Sequence, residues 1–163
     1  MSDGNGSDAT PVKNPTTVER LSELEVAVTR TVNGPVRLVF DAWTKADLFR
    51  QWWVPRSYGL HLLACDMDVR VGGEYRLVFR HEESTMEFFG TYLEVVPNAR
   101  LVWTNDEGDQ GTTVTTVTFD EQDGRTLVIV HDLYPSAAVR DSGAAGALPE
   151  TFDQLDELLG NMQ

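Results

Sequence analysis

Between residues 60 and 133 the sequence reads as six strand-like segments in a row, divided by turn signals, with helical periodicity only before and after them. The segments run roughly 60–70, 74–81, 85–96, 100–105, 112–120 and 125–133. Gly72–Gly73 and Asp123–Gly124 are two-residue hairpin signals, and Pro97–Asn98, the HEES segment and the DEGDQG loop supply the remaining turns. Connections this short make neighbouring strands antiparallel, because a parallel pair needs a long crossover between its strands. Everything else in the chain has to pack around this meander.

One more strand precedes it. Residues 23–32 alternate Leu24, Val26 and Val28 with Glu23, Glu25 and Ala27, the period of a half-buried strand. Asn33–Gly34–Pro35 then breaks the alternation, and Val36, Val39, Phe40 and Trp43 fall on one helical face. Thr44 is the expected N-cap of a second short helix with Leu48, Phe49 and Trp52 inward and Pro55 beyond its end. At the far end Leu148, Phe152, Leu155 and Leu159 mark the buried stripe of a terminal helix, with Pro149 starting it or kinking it. The order predicts an α+β domain: a curved seven-strand antiparallel sheet around a long C-terminal helix, with two short helices between strands one and two. Residues 1–18, rich in Gly, Ser, Asp, Asn and Pro, read as a disordered tail, and 19–163 as one domain.

Charge narrows the partners. Thirteen basic against 26 acidic residues give a formal charge of -13, with no Lys/Arg cluster, so neither nucleic acid nor an anionic membrane is expected as a partner. Cys65 is the only cysteine and reads as a small buried hydrophobe, which with no recognisable signal segment leads to a cytoplasmic expectation. The three histidines, His61, His81 and His131, show no metal-ligand spacing, and no nucleophile elbow or phosphate loop is present. No metal and no cofactor are expected.

The stretches RTVNGPVRLVFDAWTKADLFRQWW, DMDVRVGGEYR, FFGTYLEVVPNARLVWT and GALPETFDQLDELL resemble the START-like (SRPBCC, helix-grip) superfamily. Within it they are most similar to the bacterial branch of activator-of-heat-shock-ATPase homologue-like proteins, often grouped with polyketide cyclases. The resemblance covers residues 24 to 160 and implies a cavity between the terminal helix and the concave face of the sheet. It leaves three functions open: binding of a small hydrophobic or aromatic molecule, a cyclase- or hydrolase-type reaction in the same cavity, or a co-chaperone-like protein-interaction surface.

Strand alternation nominates the lining. Tyr75, Leu77 and Phe79 share one face of their strand, and Trp103 belongs to the next wall. On the long strand either Met86, Phe88 and Tyr92 or Glu87, Phe89 and Leu93 point inward; the second set is preferred, because it leaves Glu94 facing solvent. Leu127, Ile129, His131 and Leu133 lie together, with Asp132 on the opposite face, so His131 is the candidate to orient a ligand. An acid–base pair of His131 with Glu87 and a purely structural histidine are the open alternatives. Trp52 and Trp53 cannot both point inward from one short helix, and Trp53 is assigned to the opening. Phe152 and Leu155 complete the expected site from the helix side. Val128 and Val130 are expected to face away from the helix, as an outer patch whose simpler use is a homodimer contact.

Overall fold

The computed structural model describes residues 14–142 and 144–163, so most of the expected tail, residues 1–13, lies outside the described residues. Strands β1 (Thr16–Arg20) and β2 (Glu25–Val32) are followed by helices α1 (Val36–Thr44) and α2 (Ala46–Phe49). Strands β3 (His61–Met67), β4 (Glu74–His81), β5 (Ser84–Val96), β6 (Arg100–Asp106), β7 (Thr112–Gln122) and β8 (Arg125–Leu133) form the meander. A short helix α3 (Ala137–Ser142) leads to the terminal helix α4 (Leu148–Met162). The eight strands form one curved antiparallel sheet in the order β1-β2-β8-β7-β6-β5-β4-β3. This is the helix-grip arrangement, with α1 and α4 packed on the concave side.

Seven strands were expected and eight are found. The additional β1 pairs with β2 from Thr16↔Arg30 to Arg20↔Val26 and begins inside the segment read as a tail. Its sequence, TTVER, holds a single apolar residue, Val18, which is half exposed, so no alternation marks it. Only the partner strand reveals it.

The helices follow the predicted faces with small shifts at their ends. Helix α1 buries Val39, Phe40, Ala42 and Trp43, and its last residue is Thr44, whose hydroxyl donates back to the Phe40 carbonyl at 2.8 Å. Lys45, not Thr44, therefore caps α2. In α4 the four stripe residues Leu148, Phe152, Leu155 and Leu159 are buried, and Pro149 sits in the first turn, where its missing N–H costs no helical bond. Together with Val28, Val32, Val117, Val128 and Leu101 they form the core between helix and sheet.

The inward face of β8 is Thr126, Val128, Val130 and Asp132, all buried, whereas Leu127, Ile129 and His131 lie half-buried on the convex side. This reverses the expected face of the strand. The two-residue Asp123–Gly124 turn pairs Gln122 with Arg125, which sets Phe119 opposite Val128 and Val117 opposite Val130. Because Val117 and Phe119 are inward, Val128 and Val130 must be too. They are core, not an outer patch.

Candidate functional site

The concave side retains a cavity of about 470 Å³ where α4 and α3 diverge from the outer half of the sheet. Its apolar wall comes from three directions. The helical segment supplies Trp43, Phe49, Trp53 and Val54; β4 supplies Tyr75, Leu77 and Phe79; β5 and β6 supply Met86, Phe88, Tyr92 and Trp103. The rings contact one another edge-on or tilted: Trp43 lies 5.7 Å from Trp53 and 6.0 Å from Trp103, and Phe79 lies 5.4 Å from Phe88.

The two adjacent tryptophans part as the short helix requires. Trp52 is fully buried and its indole N–H donates to the Ala42 carbonyl at 2.9 Å. Trp53 stacks on Phe49 with centroids 4.8 Å apart and faces the cavity. The loop between them and β3 is fixed by Gln154 of α4, itself buried. Its amide N–H groups donate to the carbonyls of Trp52 at 3.0 Å and Val54 at 2.8 Å, and its Oε1 accepts from the Arg56 N–H at 2.9 Å. All three bonds satisfy a side chain that would be costly to bury unpaired. One turn earlier, Glu150 accepts from the Ser57 N–H and hydroxyl, and these bonds hold its carboxyl below the ordinary glutamate value.

One end of the cavity is polar. On β7 the alternate residues Thr113 and Thr115 face inward, about 7 Å apart along the strand. The Thr115 hydroxyl donates to Asp132 Oδ1 at 2.6 Å, and the Tyr134 hydroxyl to Asp132 Oδ2 at 3.1 Å. The Thr113 hydroxyl donates to Glu107 Oε2 at 2.8 Å, which also accepts from the Asn105 amide at 2.9 Å. Tyr75 reaches the same network, donating to the Thr104 carbonyl at 2.8 Å and within 3.1 Å of Asn105 Oδ1. Burial raises the Asp132 carboxyl above its ordinary value, against the opposing pull of the Thr115 and Tyr134 hydrogen bonds and of the His131 charge. Desolvation likewise raises the phenols of Tyr75, Tyr92 and Tyr134.

Of the ten residues nominated by sequence, Trp53, Tyr75, Leu77, Phe79 and Trp103 line this cavity and five do not. Phe152 and Leu155 are completely buried in the core beneath it, and α4 meets the cavity through Leu148 and Thr151 instead. Glu87 is on the convex side, exposed and ion-paired with Arg76, and Phe89 is exposed beside it. The pairing Phe79↔Met86 and Leu77↔Phe88 puts Met86 and Phe88 on the cavity side, where they line its wall and stay partly exposed. Reasoning backwards from Glu94 failed because β5 shifts register between Tyr92 and Glu94, a bulge that reverses the parity of the strand. His131 lies outside, its Nε2 at 2.9 Å from Glu25 Oε1. A hydrogen bond from the Ser22 hydroxyl, and then that contact, lower the Glu25 carboxyl. The pair of His131 with Glu87 does not form.

Sequence reasoning missed Asp132, Tyr134, Glu107, Asn105, Thr113 and Thr115. The Asp123–Gly124 hairpin carried the signal for Asp132, since its register places Asp132 opposite Thr115 on the Val117 face. Among the described residues no three His, Cys, Asp or Glu side chains gather as a metal site, and no helix is long and apolar enough to cross a membrane.

Residues 33–160, most of the chain, match the family described as Activator of Hsp90 ATPase homolog 1-like protein. The chain belongs to that family. None of the curated proteins matches it significantly. Solved structures similar to it include a protein from Rhodobacter sphaeroides with TM-score 0.81 and 22% identity, covering 90% of this chain and 99% of that one. An AHSA1-like protein from Aeromonas hydrophila has TM-score 0.69 at 20% identity, with 82% and 93% covered. CalU16 from Micromonospora echinospora has TM-score 0.63 at 15% identity, with 90% and 85% covered. At these identities the likeness is one of fold, and the AHSA1-like chain's own cavity has to supply any argument about function.

Proposed function

We propose that this AHSA1-like protein holds a small hydrophobic or aromatic molecule in the cavity between its sheet and terminal helix. The observation that carries the reading is the cavity itself: about 470 Å³, walled by aromatic rings, with polar groups gathered at one end. Ligand pockets have this size and this division of labour, apolar walls for affinity and a few placed polar groups for orientation. Native mass spectrometry of freshly purified protein tests it, with a retained small molecule as the expected result. Titration with an apolar aromatic probe should also change the tryptophan fluorescence, because Trp43, Trp53 and Trp103 all face the cavity. A protein that retains nothing and whose emission no aromatic probe alters is not a carrier of this kind.

A second reading has one specific observation in its favour. Asp132, buried, raised in pKa and bonded to Tyr134, is suited to exchanging a proton with a bound molecule, as a cyclase- or hydrolase-type reaction would require. Under that reading Asp132→Asn abolishes turnover of a bound substrate and leaves its binding intact. Val128 and Val130, the sequence hint for an outer interaction or homodimer patch, are core.

A further inference from the structure

Three neighbouring strands present one row of side chains to the cavity. Trp103 of β6 is registered with Thr115 of β7, and Thr115 with Asp132 of β8. With strands about 4.8 Å apart, the Trp103 and Asp132 backbones are about 10 Å apart, and the Thr115 hydroxyl lies between them on the Asp132 carboxyl. Glu107 adds a second carboxylate from the adjacent row through Thr113. Its Oε2 takes both donors, and Oε1 accepts from no described residue. No Lys, Arg or His lines the cavity among the described residues. The polar end is therefore acidic, with no basic side chain facing it.

We infer that the ligand of this cavity is an aromatic or aliphatic amine, bound with its ammonium group between Trp103 and the Asp132 carboxylate. This deepens the binding reading above and rests on it. An ammonium group gains twice in that position, from the carboxylate it pairs with and from the electron-rich face of an indole. A carboxylate or phosphate ligand would meet Asp132 and Glu107 with no basic side chain to offset the repulsion, so fatty acids and phosphorylated molecules are disfavoured. A neutral ligand of the same shape would fill the apolar walls and leave the acidic end unpaired.

The test uses three probes on one skeleton, naphthylmethylamine, naphthylmethanol and naphthoic acid, titrated calorimetrically into the full chain near neutral pH. The amine should bind about tenfold tighter than the alcohol, and the acid weakest of the three. Asp132→Asn should bring the amine to the affinity of the alcohol while the alcohol is unaffected. If Asp132→Asn does not fold, Trp103→Leu replaces it, with the same loss of the amine's advantage expected. Equal binding of amine and alcohol in the parent protein overturns the inference and leaves the carrier reading standing. So does an amine preference that survives Asp132→Asn. Failure of all three probes to bind overturns the carrier reading, and the inference falls with it.

Discussion

Arg30 of β2 and Asp156 of α4 form a buried ion pair, Nη2 to Oδ2 at 2.6 Å, with the arginine side chain 2% exposed. The same guanidinium reaches Asp153 one turn earlier at 2.9 Å and the Thr16 hydroxyl of β1 at 2.9 Å. Asp156 also accepts the Asn33 N–H at 2.7 Å. One charged cluster therefore ties the terminal helix, the second strand and the first strand together beneath the core.

Asp156→Ala should cost about 3–5 kcal/mol, since it strands a buried guanidinium as well as the Asn33 N–H. Asp153→Ala should cost about 1 kcal/mol, because that carboxylate is 35% exposed and screened by solvent. Urea unfolding of the two variants measures the difference. Equal losses would mean that burial does not set the strength of this cluster.

Asp132 makes a distinct contribution to pH dependence. Its folded pKa is raised above the unfolded value of about 3.9, so the folded state holds the proton more tightly. The stabilisation this provides is complete below the unfolded value and is lost as pH rises through the folded one. Comparing the parent with Asp132→Asn isolates the group from other carboxylates. The parent should lose stability relative to the variant as pH rises from 4 toward neutrality, read from urea midpoints at successive pH values. A difference that is flat or of opposite slope would place Asp132 in a solvated setting.

Trp52 and Trp43 are both buried and respond to Phe substitution for different reasons. Trp52→Phe removes a buried hydrogen bond to the Ala42 carbonyl. Trp43→Phe removes an indole N–H that has no partner among the described residues. The first should be more destabilising by about 1–2 kcal/mol in denaturant titration, although both lose similar volume. The reverse order would show that Trp43 has a partner the geometry does not reveal.

Gly90 of β5 is required by close approach. A Cβ there would lie 1.8 Å from the Thr104 carbonyl oxygen, which accepts the Tyr75 hydroxyl bond. Gly90→Ala should cost about 3 kcal/mol or more by forcing β5 and β6 apart. Gly160→Ala in α4 meets nothing within 4 Å and should stabilise by about 0.5–1 kcal/mol. Thermal melting of the pair is the check, and a tolerated Gly90→Ala would mean the strands can separate there without loss.

The sequence by itself determined the order of elements, the buried stripe of α4, the inward face of β4 and the parting of Trp52 from Trp53. In each of these, one face is distinctly more apolar than the other, so periodicity alone assigns it. Tertiary structure decided the rest. In β8 both faces are apolar, Leu127 and Ile129 against Val128 and Val130, and alternation has no preference; pairing with β7 chooses. In β5 a bulge after Tyr92 exchanges inside for outside, and no residue type announces it. Strand β1 exists only because β2 offers it a pairing edge. Asp132 is the sharpest case, because an aspartate reads as solvent-facing wherever it stands in a sequence. It is buried here because Thr115 of the neighbouring strand and Tyr134, two residues further on, supply the hydrogen bonds that water would otherwise provide.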